Sequence, residues 1–174
     1  MKDHPTALTL QFQELATHIQ SAPEADLAVN LALPVGADAL AHTVLRHTPP
    51  RPLEIEQAIE LVEDAVMPAR AQLPAALRLQ TRDAPLRAMA AGVAKPVVSP
   101  APSGESAEPP SATAQAPLWL STDAVEHLFN RLAARAEGRP ATQDDVPVDG
   151  PSAARLVIVR ELMHHWALDG VWLI

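Results

Sequence analysis

The segment from Lys95 to Pro117, KPVVSPAPSGESAEPPSATAQAP, constrains the fold more than any other part of the chain. Six of its 23 residues are proline, and most of the rest are Ala, Ser, Gly or Glu. Proline has no N–H to give a helix or a ladder, and so little apolar mass cannot offset the entropy of ordering. The segment reads as a disordered linker between a helix-rich part at 1–94 and a helical part at 118–174. A Pro-rich ligand for an SH3-like partner would carry flanking basic residues, and they are missing here. Two helices and a tail in 118–174 make a thin core alone. Long linkers cost little to close, so this part is expected to pack on 1–94 as one composite domain.

Before the linker, Leu8, Phe12, Leu15 and Ile19 recur at +4, +3 and +4, which suits one helical face. Ala7–Phe12 also alternates as a short strand would. The stretch 26–33 places Leu27, Val29, Leu31 and Leu33 at period two and reads as a strand, stopped by Pro34 and Gly36. A helix is expected from about Gly36 to His47. The best-defined helix follows Pro52, where Ile55, Ile59, Val62 and Val66 repeat at +4, +3 and +4, with Pro68 marking its end or a kink. A weaker helical stretch is read at Ala75–Gln80, and another helix at Asp83–Ala91, capped by Asp83.

After the linker, Asp123-Ala124-Val125-Glu126 has the form of a capping box. Val125, Leu128, Phe129, Leu132 and Ala136 make the apolar stripe of the helix it would start, with Gly138 as terminator. The last helix begins at Asp149-Gly150-Pro151 and runs to about Leu168. Its first half is apolar except for Arg155, so it is either a central buried helix or, at Leu156–Val159, a strand. Val171-Trp172-Leu173-Ile174 is too apolar to hang in water and is expected to pack as a terminal strand or docked tail. The fold class expected is mainly α, a helical bundle interrupted by the linker. The alternative is α+β, with a small sheet from 7–12, 26–33 and 171–174.

Charge and residue usage exclude several functions. The formal net charge is -8, with 13 basic against 21 acidic residues and no basic cluster along the chain. This composition argues against a nucleic-acid or membrane-surface partner. There is no cysteine, which removes disulfides, thiol catalysis and thiolate metal sites. No apolar leader pattern or spanning segment is evident, so a cytoplasmic location is expected. Arginine outnumbers lysine heavily, a bacterial GC-rich coding habit that says nothing about activity. The six glycines stand far apart, so no P-loop or G-x-G-x-x-G exists, and neither G-x-S-x-G nor H-E-x-x-H occurs.

Two groups carry candidate chemistry. Glu161 lies one helical turn from both His164 and His165, so the three share a surface. Such an E-x-x-H pair is half of a di-iron ligand set, but no second pair exists. The simplest reading is a Glu–His contact near a helix C-terminus, where the dipole favours imidazolium. The second group, Glu56, Glu60 and Glu63, forms a carboxylate stripe beside the Ile/Val face of its helix. It suits a solvated face or a docking stripe for an Arg-rich surface. Asp144, Asp145 and Asp149 precede the last helix, where turn formation and capping are their economical roles.

No catalytic motif is recognised, and no cofactor or metal is called for. The sequence leans towards a small non-enzymatic binding, adapter or accessory protein acting through helical faces, on another protein or on itself. The rival is a metal-assisted or His-based hydrolase using Glu161, His164 and His165.

Overall fold

Period-two alternation, rather than helical periodicity, organises the short segments of this chain. The computed structural model describes residues 5–25, 27–96 and 116–174. Within them, seven strands form one mixed sheet in the order β3-β2-β1-β4-β7-β6-β5. The strands are β1 (Thr6–Phe12), β2 (Thr17–Ser21), β3 (Asn30–Leu33), β4 (Leu77–Thr81), β5 (Lys95–Pro96), β6 (Leu118–Ser121) and β7 (Gly170–Leu173). Strands β1, β4 and β7 run parallel at the centre, and antiparallel strands flank them on both sides. The helices are α1 (Ala37–Thr43), α2 (Pro52–Ala69), α3 (Ala84–Ala90), α4 (Thr122–Ala136) and α5 (Gly150–Trp166).

The expected helical bundle is therefore wrong, and the small-sheet alternative falls well short of seven strands. The reason is visible in individual segments. Leu-Arg-Leu-Gln at 77–80 consists of good helix formers, but Leu77, Leu79 and Thr81 alternate with Arg78 and Gln80, and pairing on both sides overrides propensity. The helix expected at Ala75–Gln80 is thus β4. Likewise Leu8 and Ile19 point into the core from β1 and β2, whereas Leu15 sits exposed in the turn between them, so they never share a helical face. Residues 97–115 of the proposed linker lie outside the described residues, as does Asp26.

Helices α1, α2, α3 and α4 all pack on α5, so the five helices form one layer with α5 at its centre. The apolar first half of α5 is the buried helix, not a strand: Leu156, Val157, Ile158 and Val159 are all within 1% of full burial. The sheet meets this layer through Leu8, Leu10, Ile19, Leu79, Val171, Leu173 and Leu120, all buried. Burial of such side chains stabilises by about 1.5–3 kcal/mol each, which is the main force holding sheet to helices.

The element ends are set by local chemistry. Asp149 caps α5 by accepting from Ser152 N–H, and Asp83 caps α3 by accepting from Leu86 N–H. Ser121, not Asp123, caps α4, so the capping box read from Asp123 and Glu126 does not form. Pro68 lies inside α2, one residue before its end. There Arg70 N–H turns back to Met67 O, which frees the Val66 carbonyl for the buried indole of Trp166 at 3.1 Å. Gly36 admits the β1–β2 turn: a Cβ on it would lie 2.1 Å from Glu14 O, whose carbonyl accepts from Ala39 N–H. No helix of the described residues is long and apolar enough to cross a membrane.

Candidate functional site

Two places on the molecule bring chemically useful side chains together, one at each end of α5. The first lies near its C-terminal end, against α2. Here Glu63, Glu161 and His165 each offer one ligand atom, all within 4.8 Å of one another. His165 Nε2 is 3.2 Å from Glu63 Oε1 and 3.5 Å from Glu161 Oε2. Glu161 is only 1% exposed, and burying its charge is tolerated because Arg160 donates to Oε1 at 2.6 Å. Arg160 in turn reaches Glu126 Oε1 at 2.9 Å and lies over the Phe129 ring at 4.4 Å, which fixes the guanidinium from α4.

This arrangement joins the two groups singled out in the sequence. The carboxylate stripe of α2 contributes Glu63, and the α5 cluster contributes Glu161 and His165. His164 is exposed, its ring centroid 5.4 Å from that of His165. Glu56 and Glu60 are exposed elsewhere on α2 and do not join the cluster. Arg160 was not singled out from the sequence, because it is one arginine among several until the fold places it against a buried carboxylate. Two carboxylates and an imidazole suit a divalent transition metal, with coordination positions left open to solvent on the Glu63 side. The fit rests on donor chemistry: Oε2 of Glu161 faces the imidazole, while its other oxygen is satisfied by Arg160.

The second place lies at the carboxyl ends of β1 and β4. From β1 the chain proceeds to β2 and β3 on one side; from β4 it proceeds to the other side of the sheet. Ligands of open α/β sheets settle at such a switch point. A depression of about 240 Å³ is found there, lined by residues that include Gln11, Phe12, Thr81, Arg82 and Asp83. Arg82 is exposed at the rim of this depression. Asp83 is committed: one oxygen caps α3, and the other accepts from Arg155 Nε at 3.1 Å. The only charge in the apolar first half of α5 is thus the partner of this carboxylate. About ten residues of helix separate Arg155 from His165, or about 15 Å, so one small substrate cannot touch both places.

The aspartates before α5 form neither site. Asp144 accepts from Arg131 Nε and Nη2 at 2.9 and 2.7 Å, and from Val146 N–H. The hydrogen bonds from Arg131 hold its carboxyl below the usual carboxylate range against the effect of burial, with Val146 and Arg139 adding to them. This is a structural knot between α4 and the loop.

No protein family and no curated protein matches the sequence. Solved structures do match in fold. A Ppx/GppA family member from Aquifex aeolicus superposes with a TM-score of 0.66 at 13% identity, over 99% of this chain and 53% of the other. An exopolyphosphatase from Cytophaga hutchinsonii gives 0.59 at 11% identity, over 98% and 53%. An exopolyphosphatase-like protein gives 0.57 at 14%, over 98% and 56%. The expectation of a non-enzymatic adapter built on helical faces does not hold, because a mixed sheet with one helical layer makes the fold, and structures described as a Ppx/GppA family member and an exopolyphosphatase share that fold. At such identities the likeness is one of fold, and the chain spans about half the length of the structures it matches.

Proposed function

We propose that this protein is a hydrolase of phosphate esters or anhydrides, assisted by a divalent cation at Glu63, Glu161 and His165, with the cytoplasm as its compartment. The observation that carries the reading is the convergence of those three ligand atoms from α2 and α5. The substrate class is supported by the fold neighbours, described as a Ppx/GppA phosphatase and an exopolyphosphatase. A cation held there would supply Lewis acidity towards a phosphoryl oxygen. The chain's own residues then have distinct tasks. Arg160 orients Glu161 from behind by donating to its Oε1. His165 must present Nε2 without its proton, as the same atom would donate to Glu63 in the free protein. In hydrolysis a water oxygen bonds to phosphorus and gives up a proton, while the P–O bond to the leaving group breaks and the departing oxygen takes a proton up. His164, exposed and with its ring centroid 5.4 Å from that of His165, is our candidate to deliver the proton to the departing oxygen.

The test is metal content and turnover in one preparation. Elemental analysis after incubation with Mn²⁺, Zn²⁺ or Mg²⁺ is expected to give one bound ion, and hydrolysis of p-nitrophenyl phosphate or polyphosphate should depend on it. Glu63→Gln, at an accessible position, should lower both by about 10- to 100-fold, the loss typical of damaged metal sites. Turnover that ignores chelators and Glu63→Gln refutes the cluster. A second reading has its own observation, the switch-point depression with Arg82 at its rim. Under it, Arg82→Ala raises KM while Glu63→Gln changes nothing.

A further inference from the structure

Parallel strands are normally covered on both faces, yet here all five helices of the described residues lie on one. On the opposite face every strand side chain is half-buried or exposed. Register lines these side chains up in a row that crosses all seven strands. At the β3 side, Gln20 donates to Asn30 at 3.3 Å. At the centre, Gln80 donates to Thr9 at 3.2 Å. Next come Trp172 and Trp119, cross-strand partners with ring centroids 5.0 Å apart and planes tilted by 57°. Lys95 pairs with Trp119 at the far edge. Arg78, two residues along β4 from Gln80 and on the same face, lies 5.7 Å from the Trp172 ring.

Gly170 explains why an indole can lie down on the sheet. A Cβ there would fall 2.5 Å from Cζ2 of Trp119, so the missing side chain lets the ring rest on β7 with its outer side to solvent. The strand residues of this face include two exposed cations, Arg78 and Lys95, and no carboxylate, in a chain whose net charge is -8.

We propose that this face is a binding platform for single-stranded nucleic acid. The two indoles offer π surface to unstacked bases, the Gln and Asn amides offer donors and acceptors to base edges, and the cations meet the backbone. Spaced at about 4.8 Å, seven strands give a row about 29 Å long, enough for several nucleotides. A second copy of this chain is a poor occupant, because it would bring the same cations and no strand carboxylate to meet them. An acidic peptide would match the charge but leave the indoles without a planar partner. The platform escaped the sequence because Arg78 and Lys95 stand on different strands, so no basic run exists to be counted. It lies on the far side of the sheet from Glu161 and does not depend on the hydrolase reading.

Labelled 12-nucleotide RNA and DNA single strands, titrated with the full chain and read by anisotropy, provide the test. Binding should quench Trp119 and Trp172 while leaving the emission of buried Trp166. Trp119→Ala and Trp172→Ala should each weaken binding about 5- to 150-fold, the range for a lost stacking contact. With two cations on single-stranded nucleic acid, log K should fall with log salt at a slope of about −1.4, and Arg78→Ala should bring this to about −0.7. The arginine arm stands even where a tryptophan variant fails to fold. No binding below millimolar protein overturns the proposal, as does binding indifferent to all three substitutions. Equal competition by a poly-glutamate peptide also overturns it and makes the face a site for acidic polypeptides.

Discussion

Replacing Trp166 with Phe should unfold this protein more readily than any change of similar size on its surface. The indole N–H is the donor to Val66 O at the point where α2 tightens and Arg70 turns to Met67 instead. Phenylalanine has no donor, so a carbonyl in a buried position is left without one, at a cost of about 1–3 kcal/mol. The smaller ring also leaves a void beneath a residue that is 2% exposed, adding roughly 1 kcal/mol. The sum, about 2–4 kcal/mol, is a large part of the 5–15 kcal/mol that holds a typical domain. For a chain of this length it corresponds to a fall in Tm of roughly 5–15 °C. Urea unfolding followed by far-UV circular dichroism would measure it, with an unchanged m-value showing that the folded state stays compact. Trp172→Phe, on the open face, is the control and should cost below about 1 kcal/mol. If Trp166→Phe also stays below about 1 kcal/mol, the indole bond does not secure the α2–α5 contact, and the reasoning fails.

Other expectations follow from the same geometry. Asp144→Asn should cost about 1.5–3 kcal/mol at pH 7, since it removes the charge that Arg131 grips. The Asp144 carboxyl is held below its unperturbed 3.8, so its stabilisation is complete above that value and is lost as pH falls through the lowered one. Acid titration of wild type and variant should therefore converge on the acid side of 3.8; parallel curves would deny the knot its role. Gly36→Ala sets a Cβ 2.1 Å from a backbone oxygen of the β1–β2 turn, which cannot swing aside as a side-chain tip would. Soluble yield and thermal stability should both fall, and an unchanged melting curve would contradict the close approach.

How legible the fold was depended on whether a segment's pattern or its neighbours decided its state. Helix α2 stands out in Ile55, Ile59, Val62 and Val66, and α3 in its Asp83 cap and Pro85, because those signals are local. The sheet was missed where it mattered. β4 is five residues of Leu, Arg, Gln and Thr, and nothing local reveals that β1 and β7 will hold it from both sides. The cluster was half visible for the same reason. The spacing of Glu161 and His165 is a helix property readable from sequence, whereas the approach of Glu63 needs α2 laid against α5. Arg155 was conspicuous as one charge in an apolar run, but its partner Asp83 lies on another element.

The position of β7 has a consequence for how the chain reaches this structure. Strand β4, at the heart of the sheet, is flanked by β7, and all of α3, β5, β6, α4 and α5 intervene in the chain between them. During synthesis β4 must therefore emerge with one edge unpaired and wait for a partner made much later. Such non-local pairing slows folding and leaves a sticky intermediate in the meantime. Assembly of this protein should be limited by the arrival of a four-residue strand, and a chaperone that shields the β4 edge would speed it more than any gain in helix stability.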